Sequence, residues 1–418
     1  MDILLVNPGT ELNSKKKYNR EPPSGLLCIA NYLRLNGLDV KVVDAEDKKL
    51  LHMYLDLEPK IVGITCLTNT FNKAVEIASE IKRKLNNTKI VMGGPHATFM
   101  WKEILEKYDV IDFVIIGEGE YSLLELYNSV DNFRKIQGLA FRMGDEIVSN
   151  GFSAIFDVNS FKYPERYYII PNKYEVASVI VNRGCPFNCS FCARQKLFRE
   201  VRIRNPENIV DEMLDIEKLE YSFIGLYDNI NINQEVALKI CKNIKNKGLK
   251  IGWGAELRLD KLSEHLAYEL SSSGCQVIAV GIESADENVL KLNGKYQSLD
   301  MVRKGIKNAK NAGLAIQCYF VIGLPGETNE SFEKTIKFIE ELPLIPGVDR
   351  IDFFMATPYP GSRLFENGGS EFNIKIIDKN WDHYDTEHVI FETEHLSLED
   401  LQELFNFAKK YQKAFNGE

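Results

Sequence analysis

The stretch RGCPFNCSFCARQ, residues 183–195, places Cys185, Cys189 and Cys192 three and then two residues apart and uses three of the chain's eight cysteines. Thiolates at this density are soft ligands suited to iron–sulfur clusters. A structural zinc site asks for a fourth Cys or His, and the neighbouring sequence offers none. A disulfide framework asks for an even number. Three thiolates would hold three irons of a four-iron cluster and leave the fourth open to a reactant. The competing reading is a closed zinc or redox-inert cluster.

Such a loop needs a rigid support. VASVIVNRG opens a series whose later β-rich runs are SFIGLYD, KIGWGAE, QVIAVGIES, AIQCYFVIGLP and RIDFFMATPYP, separated by stretches of helical length. Six βα units predict a partial (β/α)6 TIM-like barrel over residues 174–365, with the cysteine loop after its first strand, where such barrels carry their chemistry. SLEDLQELFNFAKKYQKAF has a Ser397 cap, early acids and late lysines. It predicts a helix in a C-terminal extension over 366–418.

Residues 1–135 alternate in the same way. DILLVN, DVKVVDA, IVGITC, KIVMGG and FVIIGEG are short apolar runs divided by helical patterns such as FNKAVEIASEIKRKL. Continuous apolar strands in this order predict a doubly wound, Rossmann-like parallel sheet covered on both faces. IQGLAFRMGDEIVSN predicts a β-hairpin turning at Gly144-Asp145. With the Pro-, Tyr- and Phe-rich stretch after it, 136–173 is expected to be a hairpin and linker. The fold class is α/β throughout.

At 418 residues the chain exceeds one ordinary core. A composition 44% hydrophobic and 27% charged is that of a globular protein, and a net charge of −9 argues against a nucleic-acid partner. The basic run Lys15–Lys17 reads as a solvated loop. No apolar run nears the roughly 20 residues of a membrane span, and the opening MDILLVNPGT reads as a strand rather than a signal peptide. Cys28, Cys66, Cys241, Cys275 and Cys318 lie in apolar surroundings and read as inert core thiols, as expected of a reducing cytoplasm.

CPFNCSFC is similar to the Cys-three-Cys-two-Cys signature of the radical S-adenosylmethionine (SAM) family, including the aromatic Phe191 before the last cysteine. GIESADENVLKLNGK, FVIGLPGET and TPYPGSRLF resemble stretches of that superfamily's cobalamin-binding branch. The resemblance implies a four-iron four-sulfur cluster on Cys185, Cys189 and Cys192, its open iron chelated by SAM, and an external electron donor. One electron then cleaves the sulfonium and releases a 5′-deoxyadenosyl radical, while the protein binds, orients and excludes side reactions. The resemblance also implies Phe191 against the adenine side, Glu283 and Ser284 at the ribose or carboxylate, and backbone at Gly323 close to the adenine. The family's Gly-Gly-Glu element is replaced here by LYDNI, which leaves Asp228 as the stand-in for the methionine-amine contact. Arg258 in AELRLD suits the SAM carboxylate by its guanidinium geometry, and equally suits a structural ion pair.

Residues 1–130 resemble the cobalamin-binding domain that precedes the barrel in class B radical SAM enzymes. Base-off, histidine-on cobalamin domains carry Asp-x-His-x-x-Gly, then Ser-x-Leu, then Gly-Gly. With Gly25 as the first motif's glycine, the histidine position falls on Pro22 and the aspartate position on Arg20. Thr65 and Leu67 stand for Ser-x-Leu, and Gly93 and Gly94 for the glycine pair. Gly117 and Glu118 in IIGEGEYS form a further small-residue loop. Proline has no donor atom, so the lower face of cobalt is expected to lack a histidine. His96 is the nearest rival ligand, or else a loop residue beside the corrin or a turn residue. The activity implied is methyl transfer from methylcobalamin to an unactivated carbon of a peptide or protein residue or small metabolite. Radical cyclisation or ring rearrangement is the alternative.

Overall fold

The computed structural model describes residues 1–9, 21–129, 132–160, 166, 174–226 and 230–418. The chain divides into two compact units: Met1–Lys173 with Lys196–Arg199, and Tyr174–Gln195 with Glu200–Glu418. Arg20, Lys15–Lys17 and Asp228 lie outside the described residues.

The first unit is built on β1 (Ile3–Asn7), β2 (Val40–Asp44), β3 (Ile61–Thr65), β4 (Lys89–Gly93), β5 (Phe113–Ile115), β6 (Leu139–Met143) and β7 (Glu146–Ser149). Its helices are α1 (Ser24–Leu35), α2 (Lys48–Leu55), α3 (Phe71–Lys84), α4 (Pro95–Lys107) and α5 (Gly119–Asn128). The sheet order is β2-β1-β3-β4-β5-β6-β7. Ile3, Leu4, Leu5 and Val6 are all buried, as a parallel strand requires when helices cover both faces. The order reverses between β1 and β3, and an open α/β sheet takes ligands beyond the strand C-termini at such a switch point. The hairpin over 136–149 is not part of a separate connector. β6 pairs antiparallel with β5, Phe113 opposite Phe141, and β6 with β7 extends the first sheet.

The second unit holds β8 (Val176–Ser178), β9 (Asn182–Arg183), β10 (Arg202–Ile203), β11 (Phe223–Leu226), β12 (Trp253–Leu257), β13 (Cys275–Glu283), β14 (Ala315–Ile322) and β15 (Arg350–Met355). Its helices begin with α6 (Arg194–Phe198), which runs across the division between the units. They continue with α7 (Pro206–Glu217), α8 (Gln234–Lys247), α9 (Glu264–Ser272), α10 (Glu287–Leu292), α11 (Leu299–Asn311) and α12 (Asn329–Glu341). Six parallel strands stand in the order β15-β14-β13-β12-β11-β8, which is chain order, so each crossover places the next strand beside the last. β8 and β15 remain as edges, and the sheet is an open barrel. After two one-turn helices, α13 (Arg363–Glu366) and α14 (Gly368–Glu371), come an antiparallel pair, β16 (Lys375–Ile376) and β17 (Phe391–Glu392), and the final helix α15 (Leu398–Asn416). α15 closes the β15 edge with side chains. Gln412 Oε1 accepts from the Phe353 N–H at 2.9 Å, and Asn416 Oδ1 from the Ile351 N–H at 3.0 Å.

Candidate functional site

The cysteine loop leaves β9 and returns through β10, and these two strands pair antiparallel, Arg183 opposite Arg202. The ladder fixes the two ends of the loop. Arg194 reaches back from α6 and donates to the Asn182 carbonyl at 3.0 Å. Cys185 and Cys189 are half-buried and Cys192 is exposed, whereas the other five cysteines are buried. Burial pushes the Cys189 thiol up to about 11, against the opposing influence of Lys295 and Arg258. Desolvation also raises Cys192, though its side chain is exposed. Such thiols ionise only when a cation takes the place of the proton, which is how metal ligation and deprotonation are coupled. Among the described residues no three His, Cys, Asp or Glu side chains converge to hold a single metal ion. A four-iron cube places each thiolate on a different iron, and three soft thiolates on one short loop are the donor chemistry such a cluster takes.

Phe191 packs against an apolar cluster that includes Val289, Leu324, Leu364 and Phe391. Glu283 closes β13 with φ +68 and is ion-paired to Lys295, a buried lysine that the sequence reading passed over. Lys295 Nζ also donates to the Gly281 carbonyl at 2.7 Å. Ser284 is fully buried, and its hydroxyl accepts from the Asp286 N–H at 3.2 Å. The Gly323 N–H donates to Glu327 Oε2 at 2.5 Å, and burial lifts that carboxyl to about 8. Arg258 is ion-paired to Asp260. Its Nε and Nη2 fork onto Asp260 at 3.0 and 2.9 Å, Nη2 reaches the Tyr296 carbonyl at 2.9 Å, and the guanidinium lies 4.1 Å from the Phe187 ring centroid.

In the first unit the expected cobalamin loops come together at the C-terminal edge of the sheet. Thr65 ends β3 directly opposite Gly93, which ends β4. Gly94 turns at φ +99, and a Cβ there would sit 2.8 Å from the Cys66 carbonyl oxygen and 2.9 Å from Thr65 Oγ1, so the position takes only glycine without strain. At Gly93 a Cβ would meet nothing within 4 Å, so the chain's own packing does not demand a glycine there. Gly93 thus faces open space, and Leu67, two residues beyond β3, is exposed. Pro22 is buried just before α1. Thr98 ties this turn to the next, accepting from the Gly117 N–H at 3.0 Å and donating to the Gly94 carbonyl at 2.9 Å. The buried Glu118 accepts from the Phe156 N–H at 3.2 Å, while its own N–H donates to Ser153 Oγ at 2.8 Å.

His96 requires a correction. It is neither a loop nor a turn residue but the second residue of α4, after a Gly94 cap and Pro95. It is buried, its ring lies 4.4 Å from that of Phe71, and burial pushes the imidazole down to about 3. It is a core residue.

Comparison with known proteins gives a consistent picture. The family model "B12 binding domain" matches residues 15–127, and that of the radical SAM superfamily matches residues 179–339. The chain is 34% identical to an uncharacterized methyltransferase of Pyrococcus horikoshii, over 98% of this chain and 91% of that protein. It is 28% identical to the anaerobic magnesium-protoporphyrin IX monomethyl ester cyclase of Rubrivivax gelatinosus, over 91% of this chain and 72% of that protein. Among solved structures, the radical SAM methyltransferase TsrM from Kitasatospora setae, with cobalamin and a [4Fe-4S] cluster bound, superposes with a TM-score of 0.79. The identity is 18%, over 99% of this chain and 92% of that chain. Among the described residues no helix is long and apolar enough to cross a membrane.

Proposed function

Because the chain belongs to the cobalamin-dependent, class B radical SAM methyltransferases, we propose that it transfers a methyl group from cobalamin to an unactivated carbon. The substrate is a residue of a peptide or protein, or a small metabolite. When bound, the cluster would supply one electron for the cleavage of SAM to methionine and a 5′-deoxyadenosyl radical, and cobalamin would supply the methyl group. Cys185, Cys189 and Cys192 would hold the cluster. Thr65, Leu67, Gly93, Gly94, Gly117 and Glu118 would form the corrin cradle. Phe191, Asp228, Glu283, Ser284 and the backbone at Gly323 would orient SAM. Pro22 offers no nitrogen to cobalt, and the core position of His96 keeps its imidazole within the protein.

The observation that carries this reading is the open face of Gly93 at the C-terminal end of β4, in the same chain as the three-cysteine loop. Anaerobic reconstitution with iron, sulfide, SAM and methylcobalamin tests it, followed by mass analysis of candidate substrates. A gain of one methyl, with 5′-deoxyadenosine and S-adenosylhomocysteine in roughly equal amounts, is expected, because one SAM is cleaved and a second restores the methyl donor. The likeness to the Rubrivivax gelatinosus cyclase favours a second reading, radical cyclisation or ring rearrangement. Substrate conversion with 5′-deoxyadenosine but neither S-adenosylhomocysteine nor added methyl would establish it.

A further inference from the structure

Two stretches that contain no cluster cysteine meet on one residue of the cysteine loop, and one of them also holds a third stretch. Ser190, between Cys189 and Phe191, is fully buried. Its N–H donates to the Asn293 carbonyl at 2.8 Å, and its hydroxyl donates to Asn293 Oδ1 at 2.6 Å. Its own carbonyl accepts from the Leu364 N–H at 2.8 Å. Asn293 is likewise fully buried, immediately after α10. Its Nδ2 donates to the Val289 carbonyl at 2.9 Å and to the Pro325 carbonyl at 2.9 Å. Pro325 lies in the turn between Gly323 and Glu327.

The side-chain amide thus uses an acceptor and both donors at once, a combination that only Asn or Gln provides. The next residue, Gly294, has φ +69, and a Cβ there would come 2.5 Å from the Asn188 carbonyl oxygen. The Asn-Gly pair after α10 is therefore shaped to lie against the cysteine loop.

We propose that Asn293 is a positioning residue for SAM. It holds the loop at Ser190 in register with the turn at 323–327, so that the chelating end and the adenine end of one SAM molecule meet groups fixed relative to each other. This deepens the reading above and rests on it for its consequence, though not for its geometry.

The test has two parts. In iron-free protein, Asn293→Asp keeps the acceptor for Ser190 and loses both donors. Hydrogen exchange should speed up in peptides covering 184–193 and 323–328, while peptides of the first unit exchange as in wild type. In the reconstituted holoenzyme the same variant should keep its iron. The SAM-induced change in the electron paramagnetic resonance spectrum of the reduced cluster should need about tenfold more SAM, or about 1.4 kcal/mol. Ser190→Ala removes a single hydroxyl, so it serves should the first variant fold poorly. It should speed exchange at 184–193 alone and weaken the SAM response in the same direction. Faster exchange confined to α10 would overturn the positioning role. Normal iron with an unshifted SAM response would overturn the consequence alone. Wild-type protein that takes up no iron would overturn the cluster reading and this consequence with it.

Discussion

Glu283 and Lys295 form a buried ion pair whose two charges both act on the Cys189 thiol. The carboxylate sits on backbone at φ +68, a conformation that a non-glycine residue keeps only when its surroundings hold it there. Breaking such a pair from one side strands a charge away from water and costs roughly 3–5 kcal/mol. Lys295→Met in iron-free protein is therefore expected to lower unfolding free energy by about that amount in a denaturant titration. The double variant Glu283→Gln, Lys295→Met should recover part of the loss. A single variant as stable as wild type would show that the pair holds nothing.

The adjacent glycines of the first unit make opposite predictions. Gly94→Ala forces a Cβ against Cys66 and Thr65 at positive φ, and should cost about 1–3 kcal/mol of stability. Gly93→Ala meets open space and should leave stability within about 0.5 kcal/mol. Cobalamin retention, measured by absorbance per mole of protein, should nevertheless fall at least tenfold. Full retention in Gly93→Ala would remove the cradle from this face.

Iron content separates the loop from the remaining thiols. Wild-type protein purified without oxygen should hold about four irons in this site. Cys189→Ala should lose both the cluster absorbance and SAM cleavage, and Cys241→Ala should keep both. Retained iron and cleavage in the first variant would falsify the assignment.

The Co(II) form should show no strong axial nitrogen splitting in its electron paramagnetic resonance spectrum, given Pro22 at the ligand position. His96 announces itself differently. Its folded pKa of about 3 lies below the ordinary value of 6.5, so between these values the unfolded chain binds the extra proton. The contribution is complete above about pH 6.5 and is lost as pH falls towards 3, with a slope of up to about 1.4 kcal/mol per pH unit. His96→Phe should flatten that slope in a pH series of denaturant titrations. A strong nitrogen splitting that disappears in this variant would make His96 a ligand after all.

The strands were legible because their signal is local: ILLVN and FIGL are apolar runs of strand length between turns. The cysteine loop was legible for the same reason, since spacing is a property of sequence. The hairpin's membership of the first sheet was not, because pairing between Phe113 and Phe141 is decided by contacts far apart in the chain. His96 misled for a narrower reason. GGPH looks like a turn, yet Pro suits the first position of a helix, and here Pro95 opens α4. Lys295 and Asn293 carry no mark in sequence beyond the Asn-Gly dipeptide. Their importance lies in partners about a hundred residues upstream for Asn293 and at the end of the preceding strand for Lys295.

The contrast between the eight thiols also determines what air can do to this protein. Cys28, Cys66, Cys241, Cys275 and Cys318 are buried, and burial lifts Cys66 to about 12 and Cys241 to about 11. Such burial denies an oxidant access to these sulfurs, whereas the loop cysteines are half-buried or exposed. Once the cluster is lost, the loop cysteines are the sulfurs open to attack, and sulfenic acids and disulfides formed there return to thiols under a reductant. Oxygen injury therefore falls on the part that iron, sulfide and a reductant can rebuild, and the barrel survives to be loaded again.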